Sequence, residues 1–342
     1  MQVSPVGNGL RYASHLCALR LITASELFMS PKPLVATLAL LVLPLYAVCA
    51  PFAYVQNEKS GTVSVIDTAT DEVVADIKAG DKPRGAALSA DGRWLYVSDQ
   101  PNNVLVKVDT ETRNVVGKIE LGESPEGVSS SPDGRWIAAA SEISNAVNFI
   151  DTASGKKVFA VKTRGKNPEH AVFSPDGKWM FVSAEEADSV DIIDVKRRKQ
   201  VASVKVGDRP RGIAFRPDGK VAYVACEIAS TVYAIDVAKR SVIKQIKTGN
   251  FANGVAISPD GKRVFISNGK DGTVSAVDTE SHEILAAIPV GKRPWNMAIT
   301  PDGRKLYVAN GRSNSVSVID AVDLKVISEV KVGEMPWGVV IK

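Results

Sequence analysis

Cysteine and histidine are scarce in this chain, with three of each in 342 residues. Past residue 50 only Cys226 remains, so the folded part can form no intrachain disulfide. No Cys-x-x-Cys-His motif offers covalent attachment to a c-type haem, and no Gly-rich phosphate loop occurs. Neither sign of charge predominates: past residue 50, 39 basic side chains stand against 37 acidic ones. A near-neutral, mixed surface of this kind lacks the electrostatic footprint of a nucleic-acid binder. Convincing helical periodicity is missing, and there is one long apolar run, Leu34 to Val48.

That run belongs to a leader. Met29-Ser-Pro-Lys-Pro is a short basic region, the apolar run comes next, and Cys49-Ala50-Pro51 closes it. The order is that of a secretory signal peptide over residues 29–50, with cleavage expected after Ala50 and with Val48 and Ala50 at the two small-residue positions. A membrane anchor fits less well, because the run is short, is interrupted by Pro44 and leads straight into a strand. Lipidation at Cys49 is disfavoured, since Tyr46-Ala47-Val48 lacks the small residue expected before a lipidated Cys. Residues 1–28 fit neither the signal nor the repetitive sequence beyond residue 50; Met29 reads as the true start and 1–28 as an over-extended gene model. The mature chain, 51–342, is expected to be periplasmic, without a membrane span, and long enough to be held by its own core.

What the chain does contain is a period. Asp67, Asp109, Asp151, Asp194, Asp236, Asp278 and Asp320 succeed one another at steps of 42, 42, 43, 42, 42 and 42 residues. Within one repeat, as at 211–247, Val-, Ile- and Tyr-rich segments alternate at period 2 between Gly, Pro, Asp and Asn. Four strands in about 42 residues is the signature of a propeller blade. Each strand type has seven members, but the chain starts on a second strand and ends on a first one. The expectation is an all-β, seven-bladed propeller of four-stranded antiparallel blades. Its last blade is composite, with residues 337–341 inside and residues 53–79 outside.

The conspicuous acidic residues are turn-makers on this reading. Pro132-Asp133-Gly134 and its equivalents join the first strand to the second. Pro presets one turn angle, Asp bonds its own backbone and Gly accepts a positive φ. The Asp closing each third strand begins another turn. Seven-fold symmetry spreads these residues one per blade, too far apart to share a metal.

Function is sought where the repeats differ. The loops before strand one and after strand two share one face, here called the top. At the start of strand one, beside the channel, stand Arg84, Glu126, Glu169, Arg211, Asn253, Trp295 and Trp337, with His170 next to Glu169. The second-strand loops add Asp99, Glu142, Glu185 and Glu227, then Asn268-Gly269 and Asn310-Gly311. One arc of the top is therefore expected to be acidic and the other aromatic, basic and amide-rich. Two indoles at a channel mouth can form an apolar or π-stacking wall, with Arg84 stacking or holding an anion. The competing account makes each Trp a cap on the inner core and the charges a solvated rim.

Catalysis finds little support. Glu126 or Glu169 with His170 could form an acid–base pair, but neighbouring strand residues point to opposite faces. A metal site from Glu126, Glu169 and Glu142 lacks convergent His or Asp ligands, so neither metal nor cofactor is expected. Cys226 reads as a small buried hydrophobe.

Leu95-Tyr96-Val97-Ser98, Ala222-Tyr223-Val224-Ala225 and Leu306-Tyr307-Val308-Ala309-Asn310, with Val63-Ser64-Val65-Ile66-Asp67 and Ser-Pro-Asp-Gly, resemble the YVTN family of β-propeller repeats. The resemblance covers residues 53–342. As an exported single-domain array, the chain looks most like the PQQ-dependent catabolism-associated β-propeller group. That resemblance implies a periplasmic protein tied to quinoprotein alcohol oxidation and an associated transport system, with no established activity of its own. A non-catalytic, monomeric binding or scaffold module is expected, holding a periplasmic protein partner or a small ligand. The alternatives are a hydrolase or isomerase resembling the propeller lactonases, with an acidic and optionally metal-assisted top site, and a propeller subunit of a quinoprotein redox complex.

Overall fold

Strands of six or seven residues form wherever Val, Ile and Tyr alternate between turn-formers. The computed structural model describes residues 51–342, in which these strands build seven four-stranded antiparallel sheets. The expected leader at 29–50 and the segment 1–28 lie outside the described residues. Six sheets are continuous in sequence: blade 1 at 83–120, blade 2 at 125–162, blade 3 at 168–205, blade 4 at 210–247, blade 5 at 252–289 and blade 6 at 294–331. Blade 7 is composite, with Pro336–Ile341 innermost and Phe52–Asn57, Thr62–Asp67 and Glu72–Lys78 outside it. Ala53 pairs with Ile341 and Val55 with Val339, so the two ends of the array share one sheet. The fold expected from the 42-residue period is the fold observed.

Period-2 alternation decides how the blades adhere. Successive residues of a strand point to opposite neighbours. Leu95 and Val97 of blade 1 meet Tyr54 and Val65 of blade 7, while Tyr96 between them meets Ile137 and Ala139 of blade 2. Seven buried apolar clusters result, one at each interface between blades. The core is thus a ring of sheet-to-sheet contacts, and no blade buries both faces alone. Cys226 lies fully buried in the cluster between blades 3 and 4.

The turns obey the chemistry of their residues. Ser131 Oγ donates to Asp133 Oδ1 at 2.6 Å, Asp133 Oδ1 accepts from the Arg135 amide at 3.0 Å, and Gly134 takes φ 71°. The Asp that ends each third strand behaves alike: Asp109 accepts from the amides of Glu111 and Thr112 at 3.0 and 2.9 Å.

At the axis the inner strands crowd one another. A Cβ on Gly127 would lie 2.7 Å from the Glu169 carbonyl, and one on Gly212 would lie 2.6 Å from the Asn253 carbonyl. Gly85, Gly254 and Gly338 hold the same position, but blades 3 and 6 place His170 and Asn296 there. Those two side chains enter the channel.

Candidate functional site

The chain enters each inner strand through a kink. The residue before the strand is left-handed in six blades, namely Ser124, Asn167, Arg209, Phe251, Arg293 and Met335, with φ of 54–62°. The kink leaves Arg209, Arg293 and Met335 at the channel mouth, joined by the second residue of every inner strand but that of blade 2, where Glu126 lies buried behind the lining, and by the residue after the second strand in blades 1, 2, 3 and 7. Together they enclose a top pocket of about 370 Å³. Glu58, Arg84, Gln100, Glu142, Glu169, Glu185, Arg209, Arg211, Asn253, Arg293, Trp295, Asn296, Met335 and Trp337 line it.

Its charges interdigitate instead of separating into arcs, which corrects the polarised face expected from sequence. Arg84 bonds Glu126 Oε1 at 2.5 Å and lies 3.4 Å from Glu58. Arg211 stands among acids, 2.7 Å from Glu169, 3.0 Å from Glu227 and 3.3 Å from Glu185. Arg209 bonds Glu185, and Arg293 reaches across to Glu227 at 2.5 Å. The reason is desolvation: a carboxylate this enclosed is costly without a partner, and converging blades bring guanidinium groups within reach.

The second-strand loops need a second correction. Glu142, Glu185 and Glu227 share their register with Glu58, Gln100, Gly269 and Gly311, one residue beyond Asp99, Asn268 and Asn310. The latter three turn into the sheet. Asp99 accepts from the amides of Asp81 and Lys82, both at 3.0 Å. Asn268 donates to Thr273 and Ser275 at 3.0 and 2.9 Å, and Asn310 donates to Ser317 at 2.8 Å. They brace the loop and do not line the pocket. Gly269 and Gly311 leave space instead: a Cβ on Gly311 would stand 2.5 Å from the Trp295 ring, so the indole lies over this glycine.

Ionisation is governed by enclosure. Burial, then Glu169, pushes Glu126 up to about 8 despite Arg84. Burial works against Glu169 too, but Arg211, His170 and Arg84 outweigh it and hold that carboxyl below its ordinary value. Glu185 is raised by burial. Arg84 and Arg211 lose some stability to burial and regain more from Glu126 and Glu169 respectively, so both stay charged.

His170 is not the partner of Glu169. Its ring stacks on Trp337, 5.5 Å between centres and 13° between planes, and burial holds the imidazole below its ordinary pKa. Beneath the pair is a channel cavity of about 150 Å³. No hydrogen bond joins Glu169 to His170 among the described residues, so the acid–base pair weighed from sequence is not assembled. Glu58, Gln100, Arg209, Arg293, Asn296 and Met335 were missed by sequence reasoning. The 42-residue offset from Glu142 could have found Gln100, and the 84-residue offset Glu58.

A second concavity, about 720 Å³, adjoins the pocket at the rim and shares Arg293 with it. Phe251, Lys270, Lys292 and Arg312 are among its lining residues. The clefts of about 580 and 460 Å³ on the opposite face are formed by the Asp-Gly turns and Trp179.

The fold is shared with solved structures. A chain of Kuenenia stuttgartiensis hydrazine synthase is 25% identical, with a TM-score of 0.72 over 78% of this chain and 91% of that one. A functionally unknown protein from Desulfotomaculum acetoxidans is 19% identical, with a TM-score of 0.74 over 85% of this chain and 98% of that one. No curated protein matches the sequence. The family model for YNCE-like β-propellers matches residues 12–342. The chain thus belongs to the YNCE-like β-propeller family.

Proposed function

We propose that this protein is a non-catalytic binding module that uses its top face, in the periplasm, in association with PQQ-dependent alcohol catabolism or its transport system. The single observation that carries the binding reading is the continuity of two concavities through Arg293, one walled by Trp295 and paired charges, the other by Phe251, Lys270 and Arg312. Aromatic anchors within a satisfied polar frame are what recognition surfaces use. The carboxylates carry arginine, serine or glutamine partners, and among the described residues no Ser, Cys or His nucleophile lines the pocket, which favours binding over turnover. The periplasmic and PQQ-linked parts rest on the leader at 29–50 and on the family resemblance.

The test is capture from periplasmic extract by the wild-type protein and by Trp295→Ala. Loss of a specific partner with an unchanged melting curve supports the reading; undiminished capture by the variant sinks it. A lactonase-like hydrolase or isomerase is the second reading, favoured by the approach of Glu142, Glu169 and Glu185 to one another. Turnover on a lactone panel would establish it. The likeness to a hydrazine synthase chain is in line with a subunit of a redox complex, for which the native absorbance spectrum is the check.

A further inference from the structure

We propose that the rim concavity at the seam of blades 5 and 6 is the docking site for a carboxylate-rich segment of a partner protein. The inference rests on the top face being a binding surface and names what that surface takes. The hollow, about 720 Å³, is lined by Lys270, Lys292, Arg293 and Arg312 against one carboxylate, Asp271. Arg293 is neutralised by Glu227 at 2.5 Å. Lys270, Lys292 and Arg312 are exposed, and none of the three has a salt bridge or side-chain hydrogen bond among the described residues. Asp271 is engaged by Asn250, whose amide and Nδ2 donate to it at 2.7 and 2.9 Å. Three cations against one carboxylate leave a net of two positive charges for an incoming ligand.

The repeat itself shows that this excess is peculiar to the seam. In blades 3, 5, 6 and 7 the amide two residues past the second strand donates to the carbonyl two residues before the inner strand. That bond sets two side chains beside each other. Blade 7 places Lys59 beside Glu334, bridged at 2.7 Å, and blade 3 places Glu186 beside Lys166. Blade 6 instead places Arg312 beside Lys292, amide to carbonyl at 3.0 Å, and blade 5 places Lys270 beside Asn250 at 3.1 Å. Like charges held together by the backbone repel until an anion lies between them. The preceding position agrees: it is Glu58, Gln100, Glu142, Glu185 and Glu227 in five blades, but Gly269 and Gly311 beside this hollow. Phe251 backs the cations, 5.7 Å from the Lys270 ammonium and 5.3 Å from the Arg293 guanidinium. The planar fork of Arg312 suits the two oxygens of a carboxylate. Acidic side chains fit better than a phosphate chain, because Asp271 in the lining repels charge laid continuously along it. Arg293 joins the hollow to the Trp295 pocket, so one peptide segment can cross both.

The probe is a fluorescein-labelled peptide of four Glu spaced by Gly, read by anisotropy in low-salt buffer. Its Gln counterpart and a five-nucleotide oligothymidylate run alongside. Saturable binding of the Glu peptide is expected, weakening as NaCl is raised, with the Gln peptide left free. Lys292→Ala combined with Arg312→Ala should weaken binding roughly ten-fold or more. Arg312→Glu should abolish it and yet melt at or above wild type, since Lys292 then meets the acidic neighbour that Lys166 has in blade 3. Lys220→Glu, on the opposite face, should bind as wild type. No saturable binding of the Glu peptide overturns the proposal, as does unchanged affinity in the double variant. So does equal affinity for the oligonucleotide, which would mark a general polyanion surface. Partner capture that is lost in Trp295→Ala but intact in Arg312→Glu would sink the acidic segment and spare the binding module.

Discussion

The imidazole of His170 lies flat against the indole of Trp337, 5.5 Å away and 13° from parallel, although their blades are not neighbours in the ring. Both rings line the small channel cavity. Two blades that share no sheet are thereby linked at the axis, one of them the blade that completes the ring.

This stack has a pH dependence of definite sign. Burial lowers the folded pKa of His170 below 6.5 and Arg211 adds to that, while Glu169 and a hydrogen bond with Asn296 oppose it. The unfolded chain therefore binds the extra proton first, and stability is present above pH 6.5 and is lost as pH falls through the folded value. Urea midpoints between pH 5 and 8 should fall less on acidification for His170→Gln than for wild type. An identical slope in the two would refute the assignment.

Trp295 and Trp337 should separate in mutagenesis. Trp337 is 9% exposed and carries the stack, so Trp337→Ala is expected to cost about 3 kcal/mol or more. Trp295 stands partly exposed over Gly311, so Trp295→Ala should leave the melting temperature nearly unchanged. Gly311→Ala should displace the indole without removing it and reproduce the binding defect of Trp295→Ala. Thermal melts and partner capture on the three variants decide this.

Cys226 should be chemically silent in the folded protein. Burial pushes its thiol up to about 12, and the side chain is fully enclosed between blades 3 and 4. Native protein should resist alkylation at neutral pH and label completely in denaturant. Rapid native labelling would mean that this seam opens.

The closing strand should be indispensable. Removing residues 336–342 leaves Phe52–Asn57 with an unpaired edge and takes Val339 from the cluster between blades 6 and 7. Loss of the cooperative thermal transition is expected, with aggregation through the exposed edge, read by circular dichroism and light scattering. A point change on an outer strand, such as Val116→Thr, should have little effect, since Val116 is 52% exposed.

The sequence by itself determined the seven blades, the composite closure and the turn role of the recurring Asp and Pro-Asp-Gly residues. Each depends on contacts between residues near in the chain or on a strict period, and both can be counted along one dimension. It also located the channel-mouth ring, because Arg84 through Trp337 occupy one repeat position. Tertiary structure alone decided how those side chains pair. Arg293 meets Glu227 from 66 residues away, Arg84 meets Glu126 from the next blade, and His170 finds Trp337 across the axis. A shift of one residue separates Asp99, braced in its loop, from Gln100, which lines the pocket; strand alternation turns such neighbours in opposite directions. The period fixes the radius at which a side chain stands. Convergence at the axis, where buried charge must find a partner, decides which one it meets.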